Sequence, residues 1–230
     1  MQDFIFQEVL LEFESIDSTN TEAKRQIDLG GKNVLCITAK LQTKGRGRME
    51  RVWESSREGN LYMTIVCESI FISPEISEIL PLYTAFSVMK AINSEIGSKA
   101  INYKWPNDLL IEGQKFGGIL IEKYKGFFII GIGINITSAP ENTIFPATFL
   151  EKYNLSSNAK QIFESFQRNL ETNKLAVINF LSENFFTKNE ISINKGEFKG
   201  VFKKIQENGN LVLILENGAT KEITVGDVSA

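Results

Sequence analysis

The stretch YKWPNDLLIEGQKFGGILIEKYKGFFIIGIGINI, residues 103–136, decides how the chain folds. Apolar runs alternate there with turn pairs at Glu112-Gly113 and Lys125-Gly126, and this spacing predicts consecutive antiparallel strands at the centre of a sheet. Its glycines carry a second message. Gly131-Ile132-Gly133-Ile134-Asn135-Ile136 begins like a dinucleotide fingerprint, but the third glycine is missing and no crossover helix follows at once, so a Rossmann reading is rejected. The pattern GxxxxGK[ST] is absent too, so any ATP would bind outside a P-loop.

Working outward, Leu61–Glu68 is a β-rich run and Val34–Ala39 a shorter apolar one, with a polar, basic stretch between them: strand, long loop, strand. Thr19-Asn20-Thr21-Glu22 reads as a capping box opening a helix over 19–29 that ends at Gly30-Gly31. Ile76–Ile96 has helical spacing, Pro81 moves its regular start to about Leu80, and Gly97 closes it. Beyond the quoted stretch, residues 137–146 read as a loop before a helical region running to about Phe186. Phe198–Ile205, Leu211–Leu215 and Lys221–Val225 are strands joined by Asn208-Gly209-Asn210 and Asn217-Gly218 turns, which points to a small β-barrel. With only about 40 residues, that module should lean on the rest of the molecule. The fold class is α+β, with domains at 1–188 and 189–230.

Composition narrows the function. The chain has 230 residues, 43% hydrophobic and 23% charged, as in soluble globular proteins. Met1–Glu12 carries acidic residues and no basic one, the wrong pattern for a signal peptide, and the apolar runs fall short of the roughly 20 residues of a membrane span. Histidine is absent, which excludes Ser-His-Asp and Cys-His mechanisms and removes the commonest metal ligand. Cys36 and Cys67 belong to no CxxC pair and read as reduced core thiols. A net charge of −3 argues against a general nucleic-acid binder.

Chemistry concentrates in four segments. Gly45-Arg46-Gly47-Arg48-Met49-Glu50-Arg51 can wrap anions, since glycine admits close backbone approach and guanidinium forks grip phosphate or carboxylate; a solvated basic loop has the same composition. Lys104-Trp105-Pro106-Asn107-Asp108-Leu109 gathers a cation, an aromatic, an amide and a carboxylate at a strand end, where an ordinary turn is the alternative. Lys115-Phe116-Gly117-Gly118-Ile119-Leu120-Ile121-Glu122 sets a lysine before two glycines that either admit a ligand or mark close strand approach. Asn135 could read an adenine edge or simply end a strand.

Together these segments, in the order GRGRxxRxW, KWPND, KxGGILIE and GxGxN and preceded by Asp17-Ser18-Thr19-Asn20, resemble biotin protein ligases over residues 15–136. The resemblance implies an antiparallel sheet with flanking helices followed by an SH3-like domain. It also implies formation of biotinyl-5'-AMP and pyrophosphate from biotin and ATP, then transfer of biotin to a lysine of a biotin carboxyl carrier protein, with acetyl-CoA carboxylase as the associated host. By it, Ser18, Thr19, Asn20 and Gln42 line the biotin pocket, and Arg46, Gly47 and Arg48 close over the ligand in a loop that the family keeps mobile until ligand orders it. Arg48 and Arg51 hold phosphates, Trp53 packs near adenine, and Asn107 and Asn135 serve the nucleotide. Lys115 meets the biotin carboxylate and the α-phosphate.

A carboxylic acid of pKa about 4.3 is ionised at neutral pH, so activation needs no base and lack of histidine is no obstacle. Mg²⁺ would ride mainly on the triphosphate, with no metal residue named. The carrier lysine, with pKa about 10.4, must lose a proton, and Asp108 is the candidate acceptor. The family often carries an N-terminal DNA-binding domain; this chain begins almost at the catalytic domain, so no repressor role is expected. The expected setting is cytoplasmic, as monomer or homodimer, without membrane or nucleic acid. Rival readings are a lipoate ligase, whose usual motif includes a histidine this chain lacks, and a non-catalytic nucleotide or nucleic-acid-binding module.

Overall fold

The computed structural model describes residues 9–30, 35–93, 101–141, 143, 145–187 and 189–229; Val34, Gly31 and Gly97 of the expectations above lie outside them. The quoted stretch folds as read, into β4 (Ile101–Lys104), β5 (Asp108–Ile111), β6 (Gln114–Tyr124) and β7 (Phe127–Ile134). With β1 (Val9–Ile16), β2 (Leu35–Gln42) and β3 (Leu61–Glu68) they form a seven-stranded sheet ordered β1-β2-β3-β7-β6-β5-β4. Thus β7 is central, while β4 lies at an edge. All neighbours pair antiparallel except β1 with β2, which run parallel. β1 was not foreseen in the sequence.

Register sorts the side chains of this sheet, because directly opposed residues point to the same face. Ile65 opposes Ile130, which opposes Ile121, and Met63 opposes Ile132, which opposes Ile119. That face meets the main core against α3 (Leu80–Asn93), whose Tyr83, Phe86, Met89 and Ile92 are buried. The short α2 (Pro74–Glu78) precedes it, so the regular helix does begin at Leu80, with Pro81 in its first turn where no N–H is needed. α4 (Ala159–Asn169), capped by Asn158 with Gln161, and α5 (Lys174–Glu183), capped by Asn173, complete this layer.

The opposite face carries Ile37, Val66 and Ile129, covered at one end by Ala23 and Ile27 of α1 (Thr19–Asp28). Farther along the same face Tyr62 opposes Gly133, which opposes Gly118, and Thr64 opposes Gly131. Three glycines in adjoining rows leave a trough where side chains would otherwise stand.

Helix α1 begins differently from the expected capping box. Its N-cap is Ser18, which makes no side-chain cap, and the Thr19 hydroxyl instead donates to Gln42 Oε1 at 3.2 Å. A long-range partner has displaced the local one, and Glu22 is drawn to Arg25 and Gln26.

The last residues form β8 (Glu190–Ile193), β9 (Phe198–Ile205), β10 (Leu211–Ile214), β11 (Thr220–Ile223) and β12 (Val228–Ser229). They make a five-stranded antiparallel sheet ordered β11-β10-β9-β8-β12. β8 and β12 are additions to the expected three strands, and among the described residues the two ends of the ladder do not pair, so the barrel is not closed. The module leans on the first sheet's layer as expected: Phe202 stacks on Phe185 with centroids 3.8 Å apart, and Trp105 Nε1 donates to Gly209 O at 2.9 Å.

Candidate functional site

The glycine trough is the floor of a cavity of about 130 Å³. One wall is the start of α1. Ser18 N–H donates to Asp17 Oδ1, and Thr19 N–H donates to Gln42 Oε1, both at 2.8 Å. Gln42 Nε2 in turn donates to Ser55 Oγ at 2.9 Å, so the amide has a single orientation. Asn20, almost fully buried, lies over Gly131, accepts from Thr64 Oγ1 at 2.6 Å and donates to Glu122 Oε2 at 2.9 Å.

The cover is the arginine loop. It starts at Gly45, where a Cβ would stand 2.3 Å from Trp53 O and 2.4 Å from Ser55 Oγ; only glycine allows the two limbs of the loop to approach so closely. Gly47 N–H donates to Arg51 O at 2.7 Å and Trp53 N–H to Gly45 O at 3.0 Å. Between these bonds Met49 and Glu50 take left-handed φ of 53° and 60°, which for ordinary residues costs about 1–2 kcal/mol each. The tight bend sends Arg46, Arg48 and Arg51 toward the cavity.

The far wall comes from the β4–β5 turn and β6. Asn107 Nδ2 donates to Ile119 O at 2.9 Å, which aims its Oδ1 at Arg48 Nη1, 3.1 Å away. Lys115 Nζ meets Asp108 Oδ1 at 2.7 Å and lies 5.2 Å from the centroid of the Trp53 ring. That ring rests on Gly118 and Gly133, with its N–H buried and unpartnered. Lys104 is buried behind the turn with Nζ 3.5 Å from the Phe145 centroid; desolvation pushes its pKa down, against the charge of Asp108.

The structure therefore brings together Ser18, Thr19, Asn20, Gln42, Arg46, Gly47, Arg48, Arg51, Trp53, Asn107, Asp108 and Lys115 around one cavity. Asn135 is not among them. It is buried beside the end of β7, its Nδ2 donating to Thr148 O at 3.1 Å. Two carboxylates were given no role in the sequence reading: Glu122, quoted only as the end of its motif, and Asp227, outside every motif. Asp227, from the turn before β12, lines the cavity and binds Arg51, with Arg48 Nη1 3.9 Å from its Oδ1. Nothing local marked it, since its partner is 176 residues away. Glu122 pairs with Arg46 and Lys24.

Such an arrangement can hold a ligand with several anionic groups against a polar pocket end, with cations placed where charge would build up between them. Residues 12–137, more than half of the chain, match the Biotin/lipoate A/B protein ligase family. The bifunctional ligase/repressor BirA of Bacillus spizizenii is 30% identical over 247 residues, covering 96% of this chain and 72% of that protein. The biotin--[acetyl-CoA-carboxylase] ligase of Mycobacterium tuberculosis is 31% identical over 116 residues, 50% of this chain and 44% of that one. Among solved structures, the biotin protein ligase of Aquifex aeolicus in complex with biotin and ATP superposes with a TM-score of 0.77 at 29% identity, covering 96% of this chain and 97% of that one. On sequence and on fold alike, the chain belongs to the biotin/lipoate A/B protein ligase family.

Proposed function

We propose that this chain is an ATP-dependent biotin protein ligase. The observation that carries the reading is convergence: the arginine loop, the Trp105 turn and the lysine before the paired glycines meet at one cavity. In the first step a biotin carboxylate oxygen attacks the α-phosphorus, the bond to the β-phosphate oxygen breaks, and biotinyl-5'-AMP and pyrophosphate result. Lys115 stands between the two reacting anions and offsets the charge that gathers as they join, while Arg48 and Arg51 hold phosphates. Ser18, Thr19, Asn20, Gln42, Arg46 and Gly47 take the vitamin, and Trp53 and Asn107 the nucleotide. Asn135, off the cavity, serves the nucleotide side only by holding the end of β7.

In the second step the amine nitrogen of a carrier lysine attacks the anhydride carbonyl and AMP leaves. Once phosphate has taken Lys115, Asp108 is released from its ion pair to accept the amine proton. Magnesium arrives with the triphosphate as part of the substrate. Among the described residues no group of three or more His, Cys, Asp or Glu side chains is gathered, and an ion held by phosphates and water requires none. The acceptor is a biotin carboxyl carrier domain, with acetyl-CoA carboxylase as the host by association. Residues 1–188 form the catalytic unit and 189–230 its appendage. The chain acts as a monomer or homodimer. No helix among the described residues is long and apolar enough to cross a membrane, and a cytoplasmic setting suits the use of ATP.

Biotin-dependent exchange of pyrophosphate into ATP tests the reading, with a fall of about 10²–10³ expected for Lys115→Ala. Exchange that depends on lipoate, or no exchange with either acid, overturns it.

A further inference from the structure

Glu122 lies near the end of β6, and neither the sequence reading nor the reaction above gives it a task. Register explains where its side chain goes: it opposes Ile129, two residues on from the Leu120–Gly131 pair, and so shares the face that holds α1 and the glycine trough. A carboxylate on a mostly apolar face requires partners, and this one has three. Its Oε1 accepts from Lys24 Nζ at 2.8 Å, and its Oε2 accepts from both Asn20 Nδ2 at 2.9 Å and Arg46 Nη2 at 2.8 Å. Burial pushes the carboxyl pKa up, but the bonds from Lys24 and Asn20 and the charge of Arg46 overcome this and hold it below its ordinary value.

The two partners of Oε2 come from different parts of the site. Asn20 belongs to the fixed wall, and its amide is oriented at both ends, by Thr64 on Oδ1 and by Glu122 on Nδ2. Arg46 belongs to the loop above, and its guanidinium pairs with the same carboxylate. Resting on the ligase reading, we propose that Glu122 is a positioning residue that sets Asn20 and Arg46 jointly, through one carboxylate oxygen, for the cyclic urea end of biotin. Pocket wall and covering loop then meet the vitamin as one unit. Arg51 and Asn107, assigned to the nucleotide, and Lys115, assigned to the reacting anions, have other partners, so the effect of Glu122 is confined to the far, urea end of biotin.

Glu122→Gln keeps an acceptor for Asn20 and removes the charge that holds Arg46. In biotin-dependent pyrophosphate exchange it should raise the KM for biotin about tenfold, as for loss of one charge-assisted hydrogen bond, with the KM for ATP and kcat within about twofold. Glu122→Asp should recover part of the loss. Added to Arg46→Ala, Glu122→Gln should contribute nothing further, because both remove the same contact. Lys24→Met, which empties only Oε1, should leave the biotin KM near that of the wild type. Equal rises in both KM values, additive effects with Arg46→Ala, or a biotin defect in Lys24→Met as large as that of Glu122→Gln would each overturn the proposal. If Glu122→Gln fails to fold, Glu122→Asp carries the same test, with a smaller rise confined to biotin expected. Failure of the wild type to exchange with biotin would sink the ligase reading itself; an active wild type with no selective defect in the variant would sink only this inference.

Discussion

Gly133→Ala tests whether the trough exists to seat the indole of Trp53. A Cβ on Gly133 would stand 2.5 Å from Trp53 Cε2, 2.6 Å from Nε1 and 2.8 Å from Cζ2. Carbon contacts settle near 3.5 Å or beyond, so the ring must retreat by roughly 1 Å. Gly133 does not have a positive φ, so the backbone accepts alanine and the cost falls on the ring. Crowding of this kind costs about 1–3 kcal/mol, and the partly buried Trp53 can relieve part of it by tipping outward. A remaining 1–2 kcal/mol corresponds to a factor of about 5–30, which should appear as a higher KM for ATP if the indole packs by the adenine. Tryptophan emission gives a second readout. Of the two tryptophans, Trp105 is buried and bonded to Gly209 O, so a red shift in the variant reports Trp53 alone. An unchanged emission maximum together with an ATP KM within about twofold of wild type would refute the reasoning, since a displaced ring costs several-fold.

Other perturbations reach different parts of the molecule. Arg48→Gly, which removes the bond to Asn107 Oδ1, should release the adenylate early and label bystander lysines; retention equal to the wild type in a release assay counts against the loop as a cover. Trp105→Phe leaves Gly209 O without its indole donor and should cost about 1–3 kcal/mol, read as a melting temperature lowered by roughly 2–4 °C per kcal/mol. An unchanged melt would mean that the C-terminal module does not depend on that bond. The Glu122 carboxyl lies below its ordinary value of 4.5, so its stabilisation is complete above that pH and is lost as pH falls through the lower folded value. The gap in melting temperature between wild type and Glu122→Gln should therefore narrow on acidification, and a gap that persists in strong acid speaks against the linkage.

Most of the sheet was legible because β4 to β7 follow one another in sequence, with the Glu112-Gly113 and Lys125-Gly126 turns marking the β5–β6 and β6–β7 connections. β1 was harder. Leu11 and Phe13 alternate with Glu12 and Glu14, but the strand lies at an edge and pairs parallel with β2 across α1, so no turn announces the pairing. The capping box at Thr19 failed because its hydroxyl serves Gln42, a partner 23 residues away that local pattern cannot supply. β12 spans only Val228–Ser229, too short for any periodicity, and it is this module's turn that carries Asp227. The cavity residues were legible from their motifs, which place glycine, cation and amide types in fixed order. Their partners Glu122 and Asp227 depend on how separate segments dock, and Asn135 sits in a motif yet faces Thr148 rather than the cavity.

Each of Arg46, Arg51 and Lys115 already has a carboxylate neighbour: Glu122, Asp227 and Asp108. A visiting anion must therefore exchange places with a carboxylate before it gains any of these three cations. A lone phosphate or acetate ion makes one such exchange for little net gain. A molecule whose anionic groups are covalently linked makes several exchanges while giving up its free motion once, so this chamber discriminates by the number of connected charges more than by charge itself.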